Sequence, residues 1–339
     1  MATTKGRLFA AFDGTGWGFI TGRGRWFVPP EFASIEFPQD GIFPAKVEPT
    51  SPWTLHSIAD HQSIVAELAP TVSRIGPAGS GLRAFQSVNG RWGFFDKAGS
   101  QKIEPRFDTS SSLPGSDVFR FENGQACVGF EMASFKVSRS NAWGLLDKLG
   151  NTLVEPSIAF IAYGEGSFIV EPTEDSEQEP PFGFDVRALG VSAGPECRVL
   201  FRDADVLRPF RFGYAPFGAD PANYKARCED TYFPQPAEFV DIRWGLVDRY
   251  GSIKISAVHE GVRPYCEQFA PFRKNGLWGF LNMNGDAVIA PTFREVEFFA
   301  EGLSACQNRD SRWGIIDYKG KWIVEPTFEN LSSEFAAYS

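Results

Sequence analysis

The residues best suited to chemistry are acidic side chains that recur at one spacing. Asp96, Asp147, Asp248 and Asp317 each stand three residues before a glycine position. A pair of carboxylates can hydrolyse a glycosidic bond, but the two groups then need different environments so that their pKa values separate. Residues at one repeated position share one environment. Asp-x-x-Gly is also typical of a type I turn that the aspartate side chain caps, so the sequence predicts turn capping and not catalysis.

Histidine and cysteine offer little material for a metal site or a nucleophile. His56 and His61 are five residues apart, off the spacing of four at which one helix face presents two zinc ligands. The five cysteines include no C-x-x-C pair, and Cys127 and Cys306 have no histidine nearby in the sequence. This pattern predicts reduced core thiols in a reducing compartment. We also find no glycine-rich nucleotide motif, so we expect no catalytic residue, no cofactor, no metal and no enzyme.

Composition narrows the fold class and the partners. The 339 residues are 43% hydrophobic and include 33 Phe, 9 Trp and only 3 Met, which favours rigid packing between β-sheets. A formal net charge of −9 disfavours nucleic acid and anionic membranes and favours a protein with a basic surface. No apolar stretch is long enough for a signal peptide or a membrane span, so we expect a cytoplasmic protein.

The recurring aspartates belong to a sequence motif of seventeen residues that occurs six times. The copies occupy residues 16–32, 91–107, 142–158, 243–259, 277–293 and 312–328. Their tryptophans are Trp17, Trp92, Trp143, Trp244, Trp278 and Trp313, and the glycines seven residues later are Gly24, Gly99, Gly150, Gly251, Gly285 and Gly320. Repetition without gaps indicates a structural unit that the fold uses many times.

Each copy reads as a β-hairpin. Trp-Gly and two apolar residues predict a short strand, Asp-x-x-Gly a turn, and a β-branched residue eleven positions after the tryptophan predicts the returning strand. A proline near the end, as in Pro326, predicts that the strand stops there or lies at an edge. We expect the glycine after each tryptophan to leave a slot for the indole or backbone of an adjoining unit. The fourth copy lacks this proline, so we expect a looser end there.

The combination of Trp-Gly, two apolar residues, Asp-x-x-Gly, a β-branched residue, Glu-Pro and Phe resembles the WG repeat, also called KWG, of bacterial β-repeat proteins. That resemblance implies a non-catalytic scaffold that binds proteins or ligands, and it brings no catalytic residue.

We therefore predict an all-β fold of tandem antiparallel hairpin repeats that form a solenoid, a superhelix or a propeller-like array. The N-terminal repeat segment is 1–159, an irregular insertion or set of degenerate repeats is 160–240, and the C-terminal repeat segment is 241–339. One short helix is expected near 52–69, because Leu55, Ile58, Val65 and Leu68 would share one face between Pro52 and Pro70. The sequence leaves open whether the array closes and in which oligomeric state it exists.

The partner-binding candidates are exposed aromatic and charged residues outside the repeated positions. They are Trp26, Trp322, the acidic residues Glu174, Asp175, Glu177 and Glu179 of a proline-rich loop, and the basic residues Arg208 and Arg211. The first hypothesis is a protein-binding scaffold, in a sharper version an inhibitor or immunity-type protein for a basic toxin or enzyme. The alternative is a ligand- or glycan-sensing module with an aromatic cleft between repeats. A third reading is an enzyme with its site in 160–240.

Overall fold

The computed structural model describes residues 7–107, 125–131, 141–158, 160–164, 167–171, 182–185, 198–201, 206–207, 212–219, 242–248 and 252–333. Every regular element in these residues is a β-strand, and each pairing between neighbouring strands is antiparallel. The described residues contain no helix. The all-β prediction is therefore confirmed, and the strands form eight separate sheets within these ranges.

The sheets follow one another along the chain, and we number them in that order. Sheet 1 contains β1 (Leu8–Phe12), β2 (Trp17–Thr21) and β3 (Trp26–Phe32). Sheet 2 contains β4 (Ser34–Ile35), β5 (Ile42–Lys46), β6 (Thr54–Ser57) and β7 (Ile64–Glu67). Sheet 3 contains β8 (Val72–Gly79), β9 (Leu82–Ser87), β10 (Trp92–Asp96) and β11 (Gln101–Phe107). Sheet 4 contains β12 (Gln125–Glu131), β13 (Asn141–Asp147) and β14 (Thr152–Ile158).

The second half of the chain repeats this organisation. Sheet 5 contains β15 (Phe160–Gly164), β16 (Ser167–Glu171), β17 (Phe182–Asp185) and β18 (Arg198–Phe201). Sheet 6 contains β19 (Val206–Leu207), β20 (Tyr214–Ala219), β21 (Arg243–Asp248) and β22 (Ile253–His259). Sheet 7 contains β23 (Gly261–Val262), β24 (Ala270–Lys274), β25 (Leu277–Leu281) and β26 (Ala287–Phe293). Sheet 8 contains β27 (Glu295–Val296), β28 (Leu303–Gln307), β29 (Trp313–Asp317) and β30 (Trp322–Phe328).

The last strand of the chain does not start a new sheet. β31 (Asn330–Ser332) pairs with β1, with Ala10 opposite Ser332 and Ala11 opposite Leu331. Sheet 1 thus takes its first strand from the end of the chain and its other three from the beginning.

The repeated Trp-Gly strand carries a bulge on its partner. In sheet 3, Trp92 faces Phe107 and Phe94 faces Ile103, so the chain from 103 to 107 is two residues longer than the chain opposite it. The same shift occurs in sheets 1, 4, 6, 7 and 8. Pro105 lies in this bulge, where no ladder N–H is needed, and the strand continues through it along the edge of the sheet. The predicted edge position is confirmed, but the strand does not end at the proline.

The bulge explains the glycine after each tryptophan. A Cβ added at Gly279 would lie 2.4 Å from the carbonyl oxygen of Ile289, and one added at Gly314 would lie 2.4 Å from that of Val324. The glycine therefore makes room for the fourth strand of its own sheet. Our expectation of a slot for an adjoining unit is wrong, because the bulged backbone fills that space. The indoles lie across their own sheets instead: Trp278 packs on Gly261, and the guanidinium of Arg263 stacks 4.2 Å from the centroid of the Trp278 ring.

The predicted Asp-x-x-Gly turns are confirmed. The Asp96 side chain accepts hydrogen bonds from the amides of Ala98 (2.9 Å) and Ser100 (3.0 Å), and Gly99 has a φ of +79°. Burial raises the pKa of Asp96, but hydrogen bonds from Lys102 and these amides outweigh burial and hold the pKa below its ordinary value. Asp147, Asn282 and Asp317 cap their turns in the same way.

The turn glycines also join successive sheets. A Cβ at Gly320 of sheet 8 would lie 3.2 Å from Ile289 of sheet 7, and one at Gly150 of sheet 4 would lie 3.5 Å from Ile103 of sheet 3. The last and first sheets meet by the same contact, because a Cβ at Gly24 would lie 3.1 Å from Val324. Apolar clusters accompany these contacts at six of the junctions between neighbouring sheets. At these three junctions the turn glycine of one sheet thus meets the β-branched motif residue of the sheet before it, whereas Gly285 has no neighbour within 4 Å of its Cβ position.

The helix expected near 52–69 is wrong. β6 and β7 form a hairpin there, closed by a hydrogen bond from the Ser63 amide to the Asp60 carbonyl (2.9 Å). Leu55 and Leu68 are buried as predicted, but Val65 is exposed. The spacing of apolar residues that suggested one helix face comes from two strands and the turn between them. Trp53 precedes β6 as Trp17 begins β2, so this segment is a further, eroded copy of the hairpin.

Residues 160–240 contain sheet 5 and the first two strands of sheet 6 within the described ranges. The sequence Phe182–Asp185 is the third strand of sheet 5, the place that Trp-Gly strands take in other sheets. The division of the chain after residues 159 and 240 stays a prediction.

Candidate functional site

The turns of the sheets define two faces. In an antiparallel sheet whose strands follow one another, the turns after the first and third strands lie at the same end of the strands. We call this end the odd-turn face. The turn after the second strand and the connection to the next sheet lie at the other end, the even-turn face.

Acidic residues occupy equivalent first turns on the odd-turn face. Asp40-Gly41 joins β4 to β5, Glu267-Gln268 precedes β24, and Glu301-Gly302 precedes β28. All six residues have positive φ, which is the backbone of a type I′ turn. Asp40, Glu267 and Glu301 are exposed. These side chains place three carboxylates at one structural position in three sheets.

The junction of sheets 7 and 8 on this face is held by a carboxylate, and we call it the 7–8 seam. Glu267 of sheet 7 accepts hydrogen bonds from the amides of Glu301 (2.7 Å) and Gly302 (3.0 Å) of sheet 8. The Tyr318 hydroxyl donates a third hydrogen bond to Glu267, at 3.2 Å. A non-glycine pair in the left-handed region, Glu267 and Gln268, is strained, and these three bonds show what holds the turn there.

Aromatic rings surround this carboxylate. The Tyr318 ring stacks on Phe269 with 5.2 Å between centroids and 20° between planes, and Phe299 tilts against both. Tyr318 is 46% exposed, whereas Phe299 is fully buried. Burial and the negative charge of Glu267 raise the pKa of the Tyr318 hydroxyl, which keeps it a neutral hydrogen-bond donor. The seam therefore presents one partly exposed aromatic ring beside the Glu267 carboxylate.

Buried charges lie along the first strands and their connections. Glu297, 4% exposed, accepts the Ser333 amide at 2.7 Å. Burial raises the pKa of Glu297 to about 7, although Ser333, Arg7 and Arg263 act in the opposite direction. Arg7 donates to the carbonyls of Ala300 (3.0 Å) and Leu303, and thus ties the N-terminal strand to sheet 8. Glu36 of sheet 2 has a pKa raised by burial to about 7, which Arg83 of sheet 3 partly offsets.

The two tryptophans predicted for partner binding lie at the beginning of fourth strands. Trp26 is 37% exposed and meets the ring of Phe328 edge-on at 5.9 Å. Trp322 is half-buried and meets Phe293 in the same way at 5.6 Å. Each indole covers the neighbouring sheet with one edge and keeps part of its surface accessible. Their role in binding stays a prediction.

The remaining predicted binding residues lie outside the described residues. These are Glu174, Asp175, Glu177, Glu179, Arg208 and Arg211. The flanking strands nevertheless place the two ends of the acidic loop: the chain leaves β16 at Glu171 and enters β17 at Phe182, after the second strand of its sheet. Both ends therefore lie on the even-turn face.

Sequence reasoning missed the 7–8 seam and the burial of one histidine. Tyr318 stands where other turns carry Lys97, Lys148 or Met283, and this departure was the available signal. His56 is 3% exposed, and the sequence pattern gave no signal of this burial. Its Nε2 lies 2.7 Å from the Thr54 hydroxyl and its Nδ1 2.7 Å from the His61 carbonyl oxygen. Those two partners satisfy a polar ring that packs on Phe43.

The thiols that the structure describes are core residues. Cys266 and Cys306 are both buried and free, which confirms the reading of Cys306 as a core thiol. Burial raises the pKa of the Cys266 thiol to about 11 and that of Cys306 well above its ordinary value. Thiols in this state are poor nucleophiles.

The described part of the chain has neither a candidate metal site nor a candidate membrane-spanning helix. No group of three or more His, Cys, Asp and Glu side chains has the geometry to hold a metal ion there. The same residues include no helix long and apolar enough to cross a membrane.

Fold and repeat together define the class of protein: a tandem array of antiparallel sheets, seven of them four-stranded within the described residues, that resembles a propeller. The sequence model of the WG containing repeat matches at residues 17–48, 92–128, 244–278, 278–310 and 313–335. The chain therefore contains WG repeats. These matches leave out residues 142–158, whose strands β13 and β14 still have the shifted register of the other copies.

Several solved structures match the chain at low identity. The crystal structure of a eukaryotic initiation factor matches with 9% identity and a TM-score of 0.53, over 97% of this chain and 85% of that one. AztD of Citrobacter koseri has 13% identity and a TM-score of 0.48 over 96% of both chains. BamB of Moraxella catarrhalis has 12% identity and a TM-score of 0.44 over 88% of this chain and 87% of that one. None of the curated proteins compared with the sequence matches it.

Proposed function

We propose that the eight sheets close into a ring and that this ring is a non-catalytic scaffold for a protein partner with a basic surface. Three contacts support closure. β31 completes sheet 1, Gly24 meets Val324 as Gly320 meets Ile289, and Trp26 meets Phe328 as Trp322 meets Phe293. The last and first sheets are thus related as consecutive sheets are. In such a ring the first strands face the centre.

The use of the repeated residues supports binding over catalysis. The recurring aspartates cap turns, the glycines admit backbone or a neighbouring sheet, and the tryptophans cross their own sheets. The repeated residues thus serve to stabilise the fold. The residues that vary from sheet to sheet lie in the turns between strands. Varied loops on a rigid repeat array suit recognition of a macromolecule.

Charge indicates the kind of partner. The observation that carries the proposal is the equivalent placement of Asp40, Glu267 and Glu301 on the odd-turn face of a chain with a net charge of −9. In a closed ring these carboxylates surround the mouth of the central opening. A basic partner would be steered to this mouth by long-range attraction. We further propose a cytoplasmic inhibitor or immunity-type role, in which the ring covers a basic toxin or enzyme.

Affinity capture with a matched charge control tests the proposal. The tagged full chain, D40N/E301Q and D310N/E48Q would each be used as bait in lysate of the source cells. Both double variants remove two negative charges, but Asp310 and Glu48 are exposed in turns of the even-turn face. We expect the wild type and D310N/E48Q to retain the same basic protein, and D40N/E301Q to retain less of it.

Salt provides the second criterion, since screening weakens attraction between exposed charges. Retention of the basic protein should fall as salt is raised from low to physiological ionic strength. Capture of no protein, capture of an acidic one, or equal loss in both variants would contradict the proposal.

A further inference from the structure

We propose that the 7–8 seam is the anchor for a cationic side chain, a lysine or arginine, of the basic partner. This inference rests on the proposed function and assigns a residue-level site to it. The site consists of the partly exposed ring of Tyr318, the Phe269 ring stacked on it and the carboxylate of Glu267.

The aromatic part of the seam is partly exposed. Phe269 stacks on the Tyr318 ring, and the Glu301-Gly302 turn approaches the hydroxyl end of that ring, because a Cβ at Gly302 would lie 3.4 Å from Cε2, Cζ and the hydroxyl oxygen of Tyr318. Tyr318 stays 46% exposed beside these contacts, and the proposed cation would lie over an accessible face of its ring. A cation within about 6 Å of such a face is attracted by the ring quadrupole.

The Glu267 carboxylate strengthens that attraction. Glu267 accepts the Tyr318 O–H at 3.2 Å, and a phenol that donates to an anion has a more electron-rich ring. Glu267 and Glu301 take their hydrogen bonds from the backbone amides of Glu301, Gly302 and Arg7 and from this hydroxyl. Within the described residues neither carboxylate forms an ion pair with a lysine or arginine side chain. Their charge is thus available to a partner.

Two cationic side chains of the protein itself, Arg7 and Lys319, affect whether a partner's cation can bind at the seam. The guanidinium of Arg7 is committed to the carbonyls of Ala300 and Leu303 of sheet 8. Lys319 follows Tyr318 and is exposed. Its ammonium competes with an incoming cation, which predicts that Lys319→Gln strengthens binding.

Sheet 7 offers a matched control. Met283 follows Asn282 in the third-strand turn as Tyr318 follows Asp317, and it is 47% exposed. Among the described turns at this position, Tyr318 is the one aromatic residue that contacts a first-turn carboxylate. Met283→Leu therefore changes an equally exposed residue outside the seam.

The test is a titration of fluorescently labelled octa-arginine and octa-lysine into the full chain at low ionic strength, followed by anisotropy. Tyr318→Leu keeps apolar contact with Phe269 but removes the quadrupole, so we expect affinity to fall about 2- to 30-fold. Tyr318→Phe keeps the ring but removes its hydrogen bond to Glu267, so its affinity should lie between those of the wild type and Tyr318→Leu. Met283→Leu should bind as the wild type does. Melting temperatures of all variants exclude unfolding as the cause.

The possible outcomes distinguish failure of the anchor site from failure of the proposed function. If Tyr318→Leu binds both peptides as tightly as the wild type does, while D40N/E301Q binds them more weakly, the anchor is wrong and the basic-partner proposal stands. If neither peptide binds the wild type, the anchor is also wrong, and the capture experiment judges the function separately. If maltoheptaose raises the melting temperature of the wild type but not of Tyr318→Leu, and the peptides have no effect, the seam is a glycan site and the proposal is overturned.

Discussion

Glu297 shows at the scale of one residue how the fold holds an ionisable group away from water. Its carboxylate is buried and accepts a hydrogen bond from the Ser333 amide. The positive charges of Arg7 and Arg263 attract it. Burial outweighs these partners and raises the pKa of Glu297 to about 7. The folded state therefore binds the Glu297 proton more tightly than the unfolded state does. Stability from this group is fully present below pH 4.5, the ordinary pKa, and is lost as pH rises through 7.

The first prediction is that Glu297→Gln reduces the slope of stability against pH between pH 5 and 8. One pKa unit corresponds to about 1.4 kcal/mol, so the wild-type contribution is on the order of a few kcal/mol. The slope should shrink without vanishing, because Glu36 also has a pKa raised to about 7 and acts in the same direction. The free energy of unfolding in denaturant, measured across this pH range, checks the result.

Glu301→Gln is the control for this prediction, since Glu301 is exposed and carries the same charge. It should leave the slope unchanged. A Glu297→Gln protein whose stability depends on pH as steeply as the wild type would contradict the assignment of the slope to Glu297.

The hairpin is the element that the sequence describes best, because its signals are local. Asp96 and Gly99 lie within one turn. The Asp96 side chain accepts hydrogen bonds from amides of that turn, and Gly99 adopts the positive φ that the turn requires. The bulge was not predictable in the same way. Pro105 indicates that a ladder N–H is dispensable, but a strand end and a bulge both satisfy that condition. The helix error at 52–69 has the same origin, since apolar spacing alone does not distinguish one helix face from two short strands.

The second prediction concerns the glycine opposite the bulge. Gly279→Ala places a methyl group 2.4 Å from the Ile289 carbonyl oxygen, a contact that only movement of the backbone relieves. We expect a loss of roughly 2–4 kcal/mol in the free energy of unfolding, measured by chemical denaturation.

Thr54 provides the natural comparison, since sheet 2 has a threonine at this position. There the register shift lies between Leu55 and His56, so no bulged backbone stands over Thr54. Thr54→Ala should lose about 1 kcal/mol, the contribution of the hydrogen bonds of its hydroxyl to Ala45 and His56. Equal losses in Gly279→Ala and Thr54→Ala would refute the steric account of the motif glycine.

The whole molecule depends on contacts that no local pattern contains. Glu267 and Tyr318 are 51 residues apart in sequence, and Arg7 and Ala300 are 293 apart. The sequence predicted a repeated unit but left open whether the array closes, because each unit resembles its neighbours whichever way the ends lie. The pairing of β31 with β1 is such a long-range contact, and it supports the proposed closure. In the proposed ring this pairing joins a strand near residue 10 to a strand near residue 331.

The third prediction tests that pairing with a designed disulfide. Ala10 and Ser332 are cross-strand partners, so A10C/S332C should oxidise to a disulfide within one chain, detectable by mass spectrometry of the linked peptides. The bond would close a loop of nearly the whole chain, and chain entropy alone sets a gain of at most about 6 kcal/mol in the free energy of unfolding. A10C/S333C shifts the register by one residue, turns the second cysteine to the other face of the strand and should link poorly. An array that stays open would give no linked peptide for A10C/S332C, or as little as for A10C/S333C, and the ring would then have to be abandoned.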